Sequence, residues 1–192
     1  MIAIVDYNTG NILSVLNAIK RLGREAVITH DVSVIRGADK VILPGVGEAS
    51  TAMAHLREKH LDELIIRLEQ PVLGICLGMQ LMCRSSEEGM TEGMGIFNVN
   101  VLRFPPLDRI PHMGWNNLDM TSGPLFKGMN GNIDVYFVHS YYAEICACTV
   151  ARSEYIVPFS SALQKYNFYA TQFHPEKSGD AGMSILKNFI EL

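Results

Sequence analysis

Four apolar runs in the first 75 residues are short and almost unbroken. Residues 2–5 read IAIV, 25–29 EAVIT, 40–43 KVIL and 72–75 VLGI. Runs of this length without polar alternation predict strands buried on both faces of a sheet. Between them the period changes. Residues 11–22 carry apolar side chains at 12, 13, 15, 16, 19 and 22, the spacing of one helix face, and Gly23 follows where a C-terminal cap is expected. Residues 49–68 hold a second helical pattern, with a break expected near His60, and 77–83 begins a third. The alternation predicts an α/β, flavodoxin-like fold, with a mostly parallel central sheet and helices on both faces.

After residue 90 the texture changes. Residues 95–103, 113–118, 133–140, 142–150 and 159–173 are strand-like and divided by short turns, and a helical pattern returns only at 180–190. The second half is expected to add β structure and a closing helix. No repeat, linker or low-complexity segment interrupts the pattern. The 192 residues suit one domain, 1–192, with a sizeable core.

Composition narrows the function. Hydrophobic residues make up 48% and charged residues 19%, as in an ordered globular chain. A net charge of −4 and the lack of a basic cluster argue against nucleic-acid binding. The pairs Lys20-Arg21 and Glu87-Glu88 read as solvated surface. The opening MIAIVDYNTGN reaches Asp6 after only four apolar residues, so neither a signal peptide nor a membrane span is expected, and the cytoplasm is the expected compartment.

Residues 74–80, GICLGMQ, follow the fourth apolar run. Small residues around Cys76 permit a sharp strand-to-helix turn that exposes its tip, the geometry of a nucleophile elbow. A packed core cysteine fits the same stretch. Cys83, Cys146 and Cys148 lack such a setting and read as structural. Cys83 lies about two helical turns past Cys76 and is expected on an inward helix face. Disulfides are not expected in a reducing compartment.

A thiol nucleophile needs a base. His30, His55 and His60 sit on polar faces or edges, and His112 and His139 at strand ends. His174 stands out, in the stretch QFHPEK at 172–177. Pro175 cannot continue a central strand, so the chain leaves the sheet there, with Glu176 placed to orient the imidazole. A surface histidine beside a surface glutamate fits this stretch equally. The loop Pro44-Gly45-Val46-Gly47 ends the third run and would lie beside Cys76, outside the carboxyl ends of the strands. It lacks the Lys-Ser/Thr of a phosphate loop and is too short for a dinucleotide fingerprint.

The cysteine elbow with Gln80, followed late by His-Pro-Glu, resembles the class I, or triad, glutamine amidotransferases. Three stretches, DYNTGNILSV at 6–15, PHMGWN at 111–116 and YFVHSY at 136–141, are similar to the glutaminase subunits of imidazole glycerol phosphate synthases of histidine biosynthesis. The resemblance covers the whole chain. It departs at Glu48-Ala49-Ser50, where the family more often has Ala-Phe, and this puts the packing of that loop in question.

The resemblance implies a mechanism. Cys76 would attack the side-chain amide of glutamine, His174 would move the proton and Glu176 would orient His174. The backbone N–H of Leu77, with one from Gly45, Val46 or Gly47, would hold the oxyanion. Gln80, His139, Ser140 and Tyr141 would bind substrate. Asn11, Trp115 and Tyr136 would face a (β/α)8-barrel synthase partner that receives the ammonia. Neither cofactor nor metal is implied. The same chemistry could serve another acceptor synthase, in an amidino-sugar pathway. A different cysteine hydrolase on the same fold, or a silent binding domain, would need the Cys-His-Glu set and Gln80 to be incidental.

Overall fold

The structure, a computed structural model, describes residues 1–8 and 10–192. Thr9, within the 6–15 stretch, lies outside them. The first half follows the apolar pattern closely: β1 (Ile2–Val5), α1 (Ile12–Arg21), β2 (Ala26–Thr29), α2 (Val32–Gly37), β3 (Lys40–Leu43), α3 (Ala49–Glu58), α4 (Leu61–Ile66), β4 (Val72–Ile75) and α5 (Leu77–Met82). Gly23 takes the left-handed φ of +70° expected after α1. The break between α3 and α4 falls at His60, whose φ is 54°. The helix α2 has no counterpart in the periodicity. Asp31 caps it, accepting from the N–H groups of Ser33 (2.7 Å) and Val34 (3.3 Å).

The second half is more finely divided. It holds β5 (Cys83–Ser86), β6 (Thr91–Glu92), β7 (Phe97–Arg103), β8 (His112–Leu118), β9 (Ile133–His139), β10 (Tyr141–Ala143), β11 (Thr149–Tyr155), β12 (Val157–Lys165), β13 (Phe168–Thr171) and the closing helix α6 (Gly179–Ile190). The run at 142–150 is thus the end of one strand and the start of another. The run at 159–173 folds back on itself at Tyr166, which takes a φ of 54°. Cys83 is buried, as expected, but not on a helix face: α5 stops at Met82, and Cys83 opens β5 opposite Phe97 of β7.

The main sheet has the order β11-β12-β13-β4-β3-β1-β2. From β13 to β2 all neighbours are parallel, and β12 and β11 add an antiparallel edge. Successive residues of β1 serve opposite cores. Ala3 and Val5 pack with α3, α4 and α5, while Ile2 and Ile4 pack with α1 and α6. Burial on both faces is why these strands read as unbroken apolar runs. Two smaller sheets, β10-β7-β5-β6 and the hairpin β8-β9, complete the fold. Among the described residues, no helix is long and apolar enough to cross a membrane.

Candidate active site

Neighbouring parallel strands release their chains at one edge, and each delivers a different group. β1 leads to Tyr7 and Asn11, β3 to residues 44–47, β4 to Cys76 and β13 to His174. The carboxyl edge of a parallel sheet is where such folds hold their ligands.

Cys76 sits between β4 and α5 with φ 53° and ψ −107°, outside the conformations a side chain ordinarily allows. Its N–H donates to Thr171 O at 2.7 Å, tying the elbow to β13. Gly78 makes the turn possible: a Cβ there would stand 1.9 Å from Leu43 O, so any side chain would push α5 off β3. Gly45 is equally confined, with the Tyr7 hydroxyl 2.4 Å and Leu77 Cβ 3.0 Å from where its Cβ would be. The Tyr7 hydroxyl donates to Pro44 O, anchoring the loop that continues to Val46 and Gly47.

His174 and Glu176 stand behind Cys76 with almost fully buried side chains. His174 Nδ1–H donates to Glu176 Oε1 at 2.8 Å. The turn that carries them is fixed by its backbone. His174 N–H donates to Tyr136 O (2.9 Å), and the Ser178 hydroxyl donates to His174 O (2.6 Å). His174 Nε2 is buried and forms no well-made hydrogen bond, yet the Cys76 sulfur acts on this imidazole. Both facts describe one contact, within electrostatic reach but loose, as is common before substrate binds. Burial opposes a charge on His174. Cys76 and Glu176 outweigh it, through hydrogen bonding and charge, and push the imidazole up to about 10. A buried imidazole that keeps its proton beside a sulfur is equipped to stabilise a thiolate and to protonate a leaving amine.

A cavity of about 310 Å³ opens in front of Cys76, its walls drawn from residues 46–47, the elbow, Gln80, Glu88, Pro111 and residues 138–141. Gln80 spends both amide hydrogens, on Tyr141 O and on Gln172 Oε1, each at 3.0 Å, which leaves its carbonyl oxygen to offer a ligand. Glu88 is half-buried and accepts from Ala49 N–H at 2.9 Å. Its carboxyl is raised by burial, against that hydrogen bond and with the charge of Glu48. Among the described residues no group of three or more His, Cys, Asp or Glu is placed to hold a metal ion.

The chain matches the family glutamine amidotransferase class-I over residues 3–192. It belongs to that family. The amidotransferase is 59% identical to the imidazole glycerol phosphate synthase subunit HisH of Bacteroides fragilis (strain YCH46), over 100% of this chain and 99% of that one. It is 45% identical to the subunit of the same name from Yersinia pestis, with the same coverage, and 48% identical to that of Haemophilus influenzae, over 99% and 96%. Its fold superposes on a crystal structure of a glutamine amidotransferase with a TM-score of 0.78, at 20% identity and 98% and 97% coverage. A glutamine amidotransferase from Thermotoga maritima gives 0.66, at 18% identity and 99% and 80% coverage.

Set against the sequence reading, the amidotransferase fold brings Cys76, His174 and Glu176 together and sets Gln80, His139, Ser140, Tyr141, Val46, Gly47 and Leu77 around one cavity. Trp115 is 59% exposed and meets Tyr136 across the β8-β9 hairpin, ring centroids 6.0 Å apart. Asn11 does more than face outward: its side chain reaches Glu176. Glu48 settles the departure at 48–50, since it caps α3 by accepting from Ser50 N–H (3.1 Å) and Thr51 N–H (2.8 Å). The Thr51 N–H, with the Ser50 and Thr51 hydroxyls that also donate to Glu48, holds its carboxyl at about 2. Sequence reasoning missed Glu88, which looked like half of a surface charge pair. Glu87 fits that reading, exposed and accepting from Arg103 N–H, but Glu88 turns into the cavity wall.

Proposed function

We propose that this chain is the glutaminase subunit of an imidazole glycerol phosphate synthase of histidine biosynthesis, with Cys76, His174 and Glu176 as its catalytic triad. The observation that carries the assignment of residues is the strained elbow of Cys76 beside an imidazole held by Glu176. The Cys76 thiolate attacks the side-chain carbonyl carbon of glutamine, and the carbonyl oxygen becomes an oxyanion. Backbone N–H groups of Leu77 and of the 45–47 loop receive it. The C–N bond breaks as His174 gives its proton to the departing nitrogen, and ammonia leaves behind a glutamyl thioester. Water, deprotonated by His174, then cleaves the thioester to glutamate and restores Cys76. Glutamine is a zwitterion outside its amide, and Glu88 is suited to receive its ammonium group.

A (β/α)8-barrel synthase partner takes the ammonia. Exposed Leu13, Met113 and Trp115, 63%, 62% and 59% accessible, support a docking face on this side of the molecule. Asn11 and Tyr136 join that face to the triad, one through Glu176 and the other through the backbone of His174. Partner control has a natural point of action in the loop at 45–47, where Gly47 takes a φ of +123° and glycine permits a change of peptide orientation. Removing one oxyanion donor costs roughly 100- to 1,000-fold in rate, so a misdirected N–H would hold the enzyme nearly off.

The test is glutamine turnover by the chain alone, with the histidine-pathway barrel, and with that barrel and its nucleotide substrate. Turnover should rise at each addition. Equal turnover in all three would rule out partner control, and activation only by a different acceptor synthase would move the enzyme to another pathway.

A further inference from the structure

The inward positions of β8 and β9 hold two histidines where an apolar pattern would be expected. His112 and His139 lie directly opposite each other in the hairpin register, and each residue is 5% exposed. His112 Nδ1 and His139 Nε2 are 2.9 Å apart. His139 Nδ1 lies 2.7 Å from Tyr141 O. A carbonyl only accepts, so His139 carries a proton on Nδ1, and the neutral ring then accepts on Nε2. His112 then donates from Nδ1 and accepts on its own Nε2, where Asn116 Nδ2 stands at 3.4 Å. Asn116 also donates to Glu154 O at 3.0 Å, which fixes the orientation of its amide. The result is a one-way chain from the β8-β11 seam to the cavity: Asn116 to His112 to His139 to Tyr141 O.

The far end of this chain touches the glutamine site on two sides. Tyr141 O also accepts from Gln80, which holds Gln172, whose amide lies 3.7 Å from Cys76 Sγ. Val138 O, one residue before His139, lies 3.9 Å from the same sulfur. Aromatic rings hold the near end. His112 stacks on Tyr155 at 4.2 Å between ring centroids and on Phe137 at 4.9 Å. Among the described residues, and besides each other, the titratable groups facing the two imidazoles are Tyr155, from β11, and His174, from the turn after β13.

We propose that His112 and His139 are positioning residues: a neutral imidazole pair, locked in the Nδ1–H tautomer, that sets the 138–141 wall of the glutamine site. Burial pushes both imidazoles down, His112 to about 4 and His139 to about 3, so both stay neutral at pH 7 and neither competes with His174 as a base. The pair acts on where glutamine sits, and the bond-breaking steps leave it unprotonated. A free imidazole in water favours the Nε2–H tautomer, so the lock is a property of this fold.

The inference rests on the reading of the cavity as a glutamine site, and the experiment separates the two. Ring nitrogen NMR of the intact wild-type chain at pH 7 should show His112 and His139 both neutral and both protonated on Nδ1. Either ring protonated on Nε2, or charged, overturns the lock, and this measurement needs no variant to fold. In the partner complex, His112→Phe keeps the stacking but cannot donate to His139. It should raise the KM for glutamine about tenfold and leave kcat within about threefold, the signature of lost positioning in binding. His112→Asn, with an amide donor where Nδ1 stands, should recover most of the loss. Losses of kcat and KM that merely track a lowered Tm, or no shift in KM, would reduce the pair to core packing. If a glutamine-like electrophile fails to label Cys76, the site reading fails. If it labels Cys76 and the KM does not move, only the positioning role fails.

Discussion

Asn11 donates its side-chain amide to Glu176 Oε1 at 2.8 Å, the same oxygen that receives the Nδ1–H of His174. Asn11 opens α1 with a left-handed φ of 65° and makes no capping bond with its side chain, so that side chain serves Glu176 instead of the helix. The start of α1, Glu176 and His174 are therefore one hydrogen-bonded unit, which joins the proposed partner face to the proposed triad.

Asn11→Ala should slow Cys76 chemistry even without a partner. A hydrogen bond to a charged group contributes about 1.5–3 kcal/mol, and its loss in the transition state lowers the rate roughly 10- to 100-fold. The rate of alkylation of Cys76 by a glutamine-like diazo-ketone, measured on the isolated chain, checks this. An unchanged rate would confine Asn11 to the interface.

Glu88→Gln should raise the KM for glutamine at least about tenfold and change kcat little, since in the proposed site its carboxylate faces the substrate ammonium and acts on ground state and transition state alike. Steady-state kinetics in the partner complex decide it. An unaltered KM would leave Glu88 a wall residue that anchors Ala49 N–H and does not touch the substrate.

Gly78→Ala should destabilise the fold by about 3 kcal/mol or more, because its Cβ would meet Leu43 O at 1.9 Å and the elbow has no space to yield. Gly37→Ala, with nothing within 4 Å of its Cβ, is the control. Chemical denaturation of the two variants gives the comparison. Equal midpoints would mean that α5 is not held against β3 as described.

Stability should fall as the pH drops from about 6.5 towards 4. His112 and His139 titrate at about 4 and about 3 when folded, against 6.5 when unfolded, and burial is the main cause for both. In that window the unfolded chain binds protons that the native chain refuses, so unfolding is favoured as acid is added. Two such groups give a slope of up to about 2.7 kcal/mol per pH unit. Denaturation midpoints between pH 7 and 5 measure it, and His112→Phe should show a shallower slope. A flat profile would mean that the imidazoles charge freely in the folded state.

The legible parts of this chain were those where one physical signal dominates. β1, β3 and β4 are buried on both faces, so their apolar runs have no competing reading. The His60 break and the Gly23 cap followed from local backbone demands. Legibility failed where local signals were mute. Nothing between Leu77 and Ser86 announces the change from α5 to β5, because residues 79–83 are apolar apart from Gln80 and suit either element. The β12-β13 turn uses Tyr166 and Asn167 in place of glycine or proline. The grouping of Cys76, His174 and Glu176 was legible because the three lie in two short motifs. The His112-His139 pair and Glu88 were not, since their partners come from strands and loops distant in sequence. A histidine opposite a histidine is visible only once the register of β8 and β9 is known.

The central claim is that Cys76 alone is the nucleophile and that His174 activates it. Treating the wild-type chain and His174→Asn with a glutamine-like diazo-ketone, followed by intact mass and peptide mapping, tests both parts at once. The wild type should gain one adduct, on Cys76, and His174→Asn should react at least about 100-fold more slowly, as expected on loss of an activating base. An adduct on Cys83, Cys146 or Cys148, or undiminished labelling of His174→Asn, would contradict the account.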